Sequence, residues 1–407
     1  MTQRLLLLAA FSLFLGSTAS AQKRPGRAFS EFIHSGEMFG HRLLLETHQT
    51  EPDRNIVISP LPILMGLDAL LSKGTDNAAA EELSKTLGWY YDPERETLIR
   101  MLRARIPDRP PVIAPNSADQ KDSTLQTSPI RVAREYHPIW LSTTFRYRGK
   151  ESIKQNFVEE VTRIYGIEFQ QAQGDNKAPT LRDGRRADFW IASSTYLETP
   201  WNTNAFAYSK PVKSPFSLRN RESIDVETLK SETEFYYHAK TDEFEAVELT
   251  GTEAYVLLAV PAPGRDIFEL ERKLSEEKIS IESLLKKELG YVVMPPFHLR
   301  FENDLRPPLE KMGIRRLFSD VNSLSPMVTL PEGARLDDLI QQVAMDVDAW
   351  GIRADAETLM GGVYGGILAT RIEPFHMNID RPFLFFVRDN TSDALLFAGV
   401  VMNPAEP

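Results

Sequence analysis

The chain has 407 residues, 42% hydrophobic and 26% charged, with a formal net charge of −10 and no cysteine. This is ordinary globular composition at a length that can bury a large core. The acidic balance excludes a general nucleic-acid binder, which would carry a basic footprint, and the missing thiols exclude disulfides, thiolate metal sites and cysteine nucleophiles.

In chain order, Arg4 precedes an apolar run over 5–16 and small residues ending in the A-x-A triplet Ala19–Ala21. A basic start, a short apolar stretch and a small-residue cleavage site make a secretory signal peptide, and so short a run cannot span a bilayer. Residues 1–21 are expected to be removed. That leaves 22–407 as one secreted, extracellular, monomeric domain with no membrane partner. Phe29, Phe32, Ile33, Phe39, Leu43 and Leu44 recur at helical spacing, so 28–46 reads as an amphipathic helix. Over 55–74 a short strand, a Ser59-Pro60 helix start and a buried helix ending at Gly74 follow. Further helices are expected over 77–87 and 94–106. The Pro-rich, polar stretch 107–129 has no period and reads as a surface insertion or disordered loop.

Strand-like alternation returns over 135–147, a helix over 153–166 ends at a glycine, and 171–188 is polar and patternless. From 189 onward strands dominate, over 189–197, 223–229, 234–239, 244–250, 254–263, 291–302 and 341–347, with one helix over 268–275. The final runs, 382–387 and 394–401, flank a polar turn and read as a buried β-hairpin. Helices first and strands later, without βαβ rhythm, argue for an α+β fold. Its N-terminal helices pack on large, mostly antiparallel sheets around one core.

Between 341–347 and 381–387 runs a long loop holding Gly351, Gly361, Gly362, Gly365 and Gly366. Loops of that length are usually functional or disordered. Catalytic templates fail: there is no G-x-S-x-G, H-E-x-x-H or P-loop, so no enzyme and no cofactor is expected. A Ser-His-Asp hydrolase, whose residues need not be adjacent in the chain, carries little weight. The seven histidines show no metal-ligand spacing. Asp346, Asp348, Gly351 and Glu357 match positions 1, 3, 6 and 12 of a calcium loop. Trp350 at position 5 offers no side-chain oxygen, and glycines follow where an exit helix is required, so the spacing reads as chance and no metal is expected. Arg100, Arg103, Arg105 and Arg109 could hold a sulfated polysaccharide, although a solvated helix end explains them more simply. Asn390-Thr391-Ser392 is a glycosylation sequon in the expected hairpin turn.

Three stretches resemble the serpin family in the right order. RPFLFFVRDNTSDALLFAGVVMNP (381–404) is similar to its C-terminal signature, and NIVISPLPILMGLDALL (55–71) to its buried second helix. MPPFHLRFENDLRPPLEKMGIRRLFSD (294–320) resembles the strand–helix segment before the reactive loop. Trp201 sits where the family keeps a tryptophan at the top of its central sheet. The resemblance spans nearly all of 22–407. It implies a serpin-like fold with an exposed reactive-centre-like loop over 349–380 and the formal class of serine-type endopeptidase inhibitor. It also implies a mechanism. An extracellular serine protease cuts the loop, which inserts into the central sheet as an extra strand and distorts the still-acylated protease.

The residues depart from the family in several places. With Gly351 as hinge glycine, the family's G-T-E-A-A-A-A-T becomes Gly351, Ile352, Arg353, Ala354, Asp355, Ala356, Glu357 and Thr358. An acid–lysine pair expected near the hinge corresponds to Ala349 and Pro296. The polar cluster behind the sheet opening corresponds to Ser59, Pro62, Ser193 and Gln341, of which only Ser59 matches in type. The segment from Phe169 to Trp201 is short and lacks a candidate for the helix that crosses the central sheet. Reactive-bond candidates are Tyr364, Gly365, Gly366 and Arg371; Tyr364 suits a chymotrypsin-like pocket and Arg371 a trypsin-like one. Alternation along a strand turns Ile352, Ala354, Ala356, Thr358 and Met360 inward. Arg353, Asp355 and Glu357 then face outward, at little cost if that face is wet. The degenerate hinge and sheet-opening residues lean toward a non-inhibitory, binding or substrate-like serpin. The alternative is an active suicide-type inhibitor that traps a chymotrypsin- or trypsin-like protease by loop insertion.

Overall fold

The computed structural model describes residues 27–89, 93–106, 139–148, 153–172, 178–181, 184–202, 205–206, 208–329, 333–353 and 373–406. The expected signal segment 1–21, the insertion 107–129 and residues 354–372 of the loop lie outside them. The helices are α1 (Arg27–His48), α2 (Pro60–Lys73), α3 (Asn77–Leu87), α4 (Pro93–Arg103), α5 (Gln155–Tyr165), α6 (Ile267–Ser275), α7 (Arg306–Met312) and α8 (Arg316–Ser319). The strands of the first half are β1 (Ile56–Ile58), β2 (Ile139–Tyr147), β3 (Glu168–Gln171), β4 (Phe189–Leu197) and β5 (Thr199–Pro200). Next come β6 (Val212–Ser217), β7 (Ser223–Lys230), β8 (Glu234–Lys240), β9 (Phe244–Thr250), β10 (Ala254–Pro261), β11 (Lys286–Met294) and β12 (Phe297–Asp304). The last are β13 (Asp338–Val347), β14 (Gly351–Arg353), β15 (Phe375–Asn378), β16 (Phe383–Asp389) and β17 (Leu395–Val401).

Local chemistry explains the boundaries. Pro60 opens α2, where its missing N–H is no loss. The Asp76 carboxylate accepts from the Ala79 N–H to cap α3, and left-handed Gly88 and Gly166 close α3 and α5. Every residue of α2 from Pro60 to Leu71 is buried, and the helix packs against β2 and β4 as well as β17. No helix among the described residues is long and apolar enough to cross a membrane.

The larger sheet runs β1-β17-β16-β10-β9-β8-β11-β7-β6, and β15 adds to β11 in parallel. Every residue of the β16–β17 hairpin strands is buried, as the apolar runs in the sequence predict. The central sheet runs β3-β2-β4-β13, with β12 antiparallel on the other edge of β13. Parallel β4 and β13 share a short seam, from Trp190↔Asp338 to Ser194↔Gln342.

Most expected elements fall where the spacing puts them. β3, β6, β15 and the first half of β11 were not expected. β3 has no buried residue and β6 has one, so neither carries the apolar alternation by which strands are read. Between β3 and β4 the described residues contain no helix. Ala178, Ala187 and Trp190 instead form a small apolar cluster at the base of β4.

The N-terminal helix is tied to the hairpin by charge. Arg388 of β16 is buried, pairs with Glu37 of α1, and lies 3.0 Å from Glu282 and 3.5 Å from Asp393. Burial would raise the Glu37 pKa, but the His41 hydrogen bond and the Arg388 charge outweigh it and hold it at about 2. A depressed carboxylate stabilises the fold above its ordinary value of 4.5, and that contribution is lost as pH falls through about 2. Glu37→Gln is therefore expected to lower the unfolding free energy by about 3 kcal/mol at neutral pH. Urea titrations should find the difference shrinking steadily in acid.

Candidate functional site

The site sits at the top of the central sheet, where the loop begins. β13 ends at Val347, turns through 348–350 and reverses into β14, with Val347↔Ile352 and Asp346↔Arg353 in register. The other edge of β14 pairs with β5, Ile352 opposite Thr199 and Gly351 opposite Pro200. The first residues of the loop thus already form a strand between β13 and β5, directly above the parallel seam.

Trp201 fastens this turn. Its indole N–H donates to the Asp348 carbonyl at 3.0 Å, and its backbone N–H donates to the Trp350 carbonyl at 3.0 Å. Within the turn, the Asp348 N–H donates to the Gly351 carbonyl at 3.0 Å and the Asp348 carboxylate accepts from the Trp350 N–H at 2.7 Å. Ala349 and Pro296 supply no acid–lysine pair, and these bonds hold the turn in its place. Gly351 is required: its φ is +145°, and a Cβ would lie 2.2 Å from the Thr199 carbonyl oxygen and 2.7 Å from Pro200 Cα. Ile352 is 1% exposed, so the strand enters with the parity its sequence implies. Ala354, Asp355, Ala356, Glu357, Thr358, Met360, Tyr364, Gly365, Gly366 and Arg371 lie outside the described residues.

Below β14, behind the seam, Ser59, Ser193 and Gln341 come together in a hydrogen-bonded cluster. Gln341, 1% exposed, accepts from the Ser59 N–H at 2.8 Å and donates to the Ser59 carbonyl at 2.8 Å and the Ser193 hydroxyl at 3.2 Å. The Ser59 hydroxyl donates to the Leu396 carbonyl at 2.6 Å and lies 2.6 Å from the Thr195 hydroxyl. Thr195 was missed, though it follows Ser193 by two and so shares its strand face. Pro62 takes part through its carbonyl, which accepts from the Thr143 hydroxyl at 3.0 Å. An amide with a donor and an acceptor satisfies groups on both sides of the seam.

The outer face of this sheet is mixed. Ser142, Thr144, Arg146, Ser194, Glu302 and Gln342 line a cleft of about 270 Å³ there, together with the apolar Trp190, Ala192 and Ile340. Nearby, Trp140 and Tyr196 stack with their centroids 5.6 Å apart. Asp346 accepts from Arg300 at 2.9 and 3.1 Å and lies 3.0 Å from His298 Nδ1. Burial pushes against it, yet these partners hold its carboxyl below the usual range. Of the calcium-like spacing, Asp346 is thus in a cross-strand ion pair and Asp348 caps the turn, while Glu357 lies outside the described residues. Arg103 donates to the Arg163 and Ile164 carbonyls at 3.2 and 2.7 Å, and Arg105 lies over the Phe29 ring at 4.9 Å. Arg109 lies outside the described residues. Two arginines of the expected basic cluster are therefore engaged in packing. Asn390 does fall in the β16–β17 turn. Its amide donates to the Gly251 and Thr252 carbonyls at 2.9 and 3.1 Å, and a glycan would displace one of these bonds.

Gly351→Ala is expected to expel β14 from its gap. Amide exchange at Ile352 and Arg353 should rise at least about tenfold, the equivalent of roughly 1.4 kcal/mol, with the body of β13 unchanged. Unaltered protection would show that the glycine does not control this insertion.

A family model described as Serpin (serine protease inhibitor) matches residues 34–404. Plasminogen activator inhibitor 1 of Mus musculus is 24% identical over 402 residues, covering 92% of this chain and 93% of that protein. Native protease nexin-1, solved with heparin, superposes with a TM-score of 0.72 at 19% identity, over 92% of this chain and 100% of that one. Human thyroxine-binding globulin superposes with a TM-score of 0.72 at 17% identity, over 93% and 100%. At such identities the structures establish the fold, while the family model covers most of the sequence. With the family model matching 34–404, the chain belongs to the serpin family, whose members are mostly serine protease inhibitors.

Proposed function

We propose that the protein is a secreted serine protease inhibitor that acts by inserting its cut loop into the seam between β4 and β13. One observation carries this: β14 already lies in the gap above the seam, paired on both edges, with Ile352 buried. Continuing the alternation from Ile352 brings Ala354, Ala356, Thr358 and Met360 to the core side, all small or apolar. Arg353, Asp355 and Glu357 would fall on the outer side, where an open cleft carries Ser142, Thr144, Ser194 and Gln342 among its lining and charges can keep their water. The attacking serine forms an acyl-enzyme at a bond near Tyr364–Gly366 or at Arg371. Insertion of 354–360 as a strand then carries the acylated enzyme away from its docking position.

Two departures that lean toward a non-inhibitory role weigh less beside this geometry. Gln341 and Thr195 take part in a polar cluster behind the seam, and strand alternation would put the hinge charges together on the outer face. The glycine-rich stretch 361–366 favours a second reading, a binding or substrate-like serpin. The leader-like 1–21 supports secretion and an extracellular protease partner. A sulfated polysaccharide is a weaker proposal: the neighbour native protease nexin-1 was solved with heparin, although Arg103 and Arg105 are engaged elsewhere here.

Incubation with trypsin-, chymotrypsin- and elastase-like proteases should yield a complex that survives boiling in detergent. Cleavage in the loop should raise the melting temperature. Ala356→Arg, on the inward side, is expected to abolish the complex, whereas Asp355→Lys, outward, should retain it. Cleavage with neither complex nor thermal gain would overturn the trap in favour of the substrate-like reading.

A further inference from the structure

The loop's other end returns to the body through β15, which is short and pairs only with β11, from Gly290↔Phe375 to Val293↔Asn378. Phe375 lies over Gly290, where a Cβ would come within 2.1 Å of its ring. On it stacks His238 of β8, 3% exposed, with centroids 3.9 Å apart and planes within 1°. Tyr236 meets the same ring edge-on at 6.2 Å. His238 Nδ1 lies 2.7 Å from Glu288 Oε2 on β11, and Nε2 lies 3.1 Å from Glu245 Oε1 on β9. Ionised carboxylates only accept, so a ring that satisfies both carries hydrogens on both nitrogens. A cationic ring flat on an aromatic face adds attraction. A neutral ring would point a lone pair at one glutamate and lose its charge over Phe375.

We propose that His238 is the positioning residue that holds the loop's return strand on the sheet, and that it does so as an imidazolium. The groups facing the ring are Glu245 from β9, Glu288 and the register-paired Lys286 from β11, and uncharged Phe375 from β15. Lys240 of its own strand binds the other oxygen of Glu245 at 3.1 Å. Burial works against the cation, but the two carboxylates outweigh it and keep the His238 pKa above its ordinary 6.5. For a raised histidine pKa the sign is fixed: the grip is complete below the ordinary value and is lost as pH climbs through the folded one. The inference rests on 354–374 being the functional loop, but its test reads the intact protein without any protease. Failure of the trap would therefore leave it standing.

The test is amide exchange at 376–378, corrected for intrinsic rate, from about pH 5.5 to about pH 8.5, where a histidine titrates. In the unaltered protein, exchange there should rise about tenfold through a midpoint above 6.5, a change of roughly 1.4 kcal/mol. β16 should stay flat across the same range. His238→Gln should give fast exchange at every pH with no midpoint. Glu288→Gln, at a side chain 48% exposed, should keep the fold and lower the midpoint. A flat profile in the unaltered protein, or the same midpoint in His238→Gln, overturns the proposal. Should His238→Gln fail to fold, an unmoved midpoint in Glu288→Gln overturns it equally.

Discussion

Everything at the site depends on the parallel seam between β4 and β13. It is short, spanning Asp338–Gln342 against Trp190–Ser194, and the upper part of β13 has β14 for its neighbour instead. A backbone ladder separated without a replacement would leave buried donors and acceptors unsatisfied, at about 1–3 kcal/mol each. In the proposed inhibitor an entering strand would supply both edges with new partners, so opening would be favourable only together with insertion, as one transition.

The cluster beneath the seam fits that coupling. Gln341 holds the start of α2 through two bonds to the Ser59 backbone and reaches across to β4 through one bond to Ser193. In the proposed opening, parting β4 from β13 would break the Gln341–Ser193 bond and the Ser59–Thr195 contact, while the two bonds of Gln341 to the Ser59 backbone would keep β13 registered on the helix. The loop's ends are fastened by unlike means. The near end depends on shape, because only a glycine fits beside Thr199. The far end depends on charge, on a ring held between two carboxylates. Shape is indifferent to solution conditions, whereas charge responds to them.

Much of the architecture was legible in the residues. Apolar periodicity located α1, α2, α5 and the final hairpin, and strand parity placed Ile352 on the buried side. Edge strands such as β3 and β6 escaped, because a strand exposed on both faces needs no alternation. The polar cluster was harder to read for a different reason. Residue types taken one by one do not show that the Gln341 amide both donates and accepts and so bonds Ser59 and Ser193 together. Thr195 was invisible because its partner Ser59 is 136 positions away. His238 read as one of seven scattered histidines, since the glutamates that define its role come from two neighbouring strands.

The open outer face of the central sheet changes what the hinge sequence has to satisfy. A covering helix would impose size and polarity on every residue of an entering strand. Among the described residues no helix crosses that face between β3 and β4, and its cleft mixes Ser142, Thr144, Ser194 and Gln342 with Trp190, Ala192 and Ile340. In the proposed inserted strand the tighter constraint would fall on alternate positions, 352, 354, 356, 358 and 360. The residues between them, Arg353, Asp355 and Glu357, would meet a looser one, in charge as well as in size.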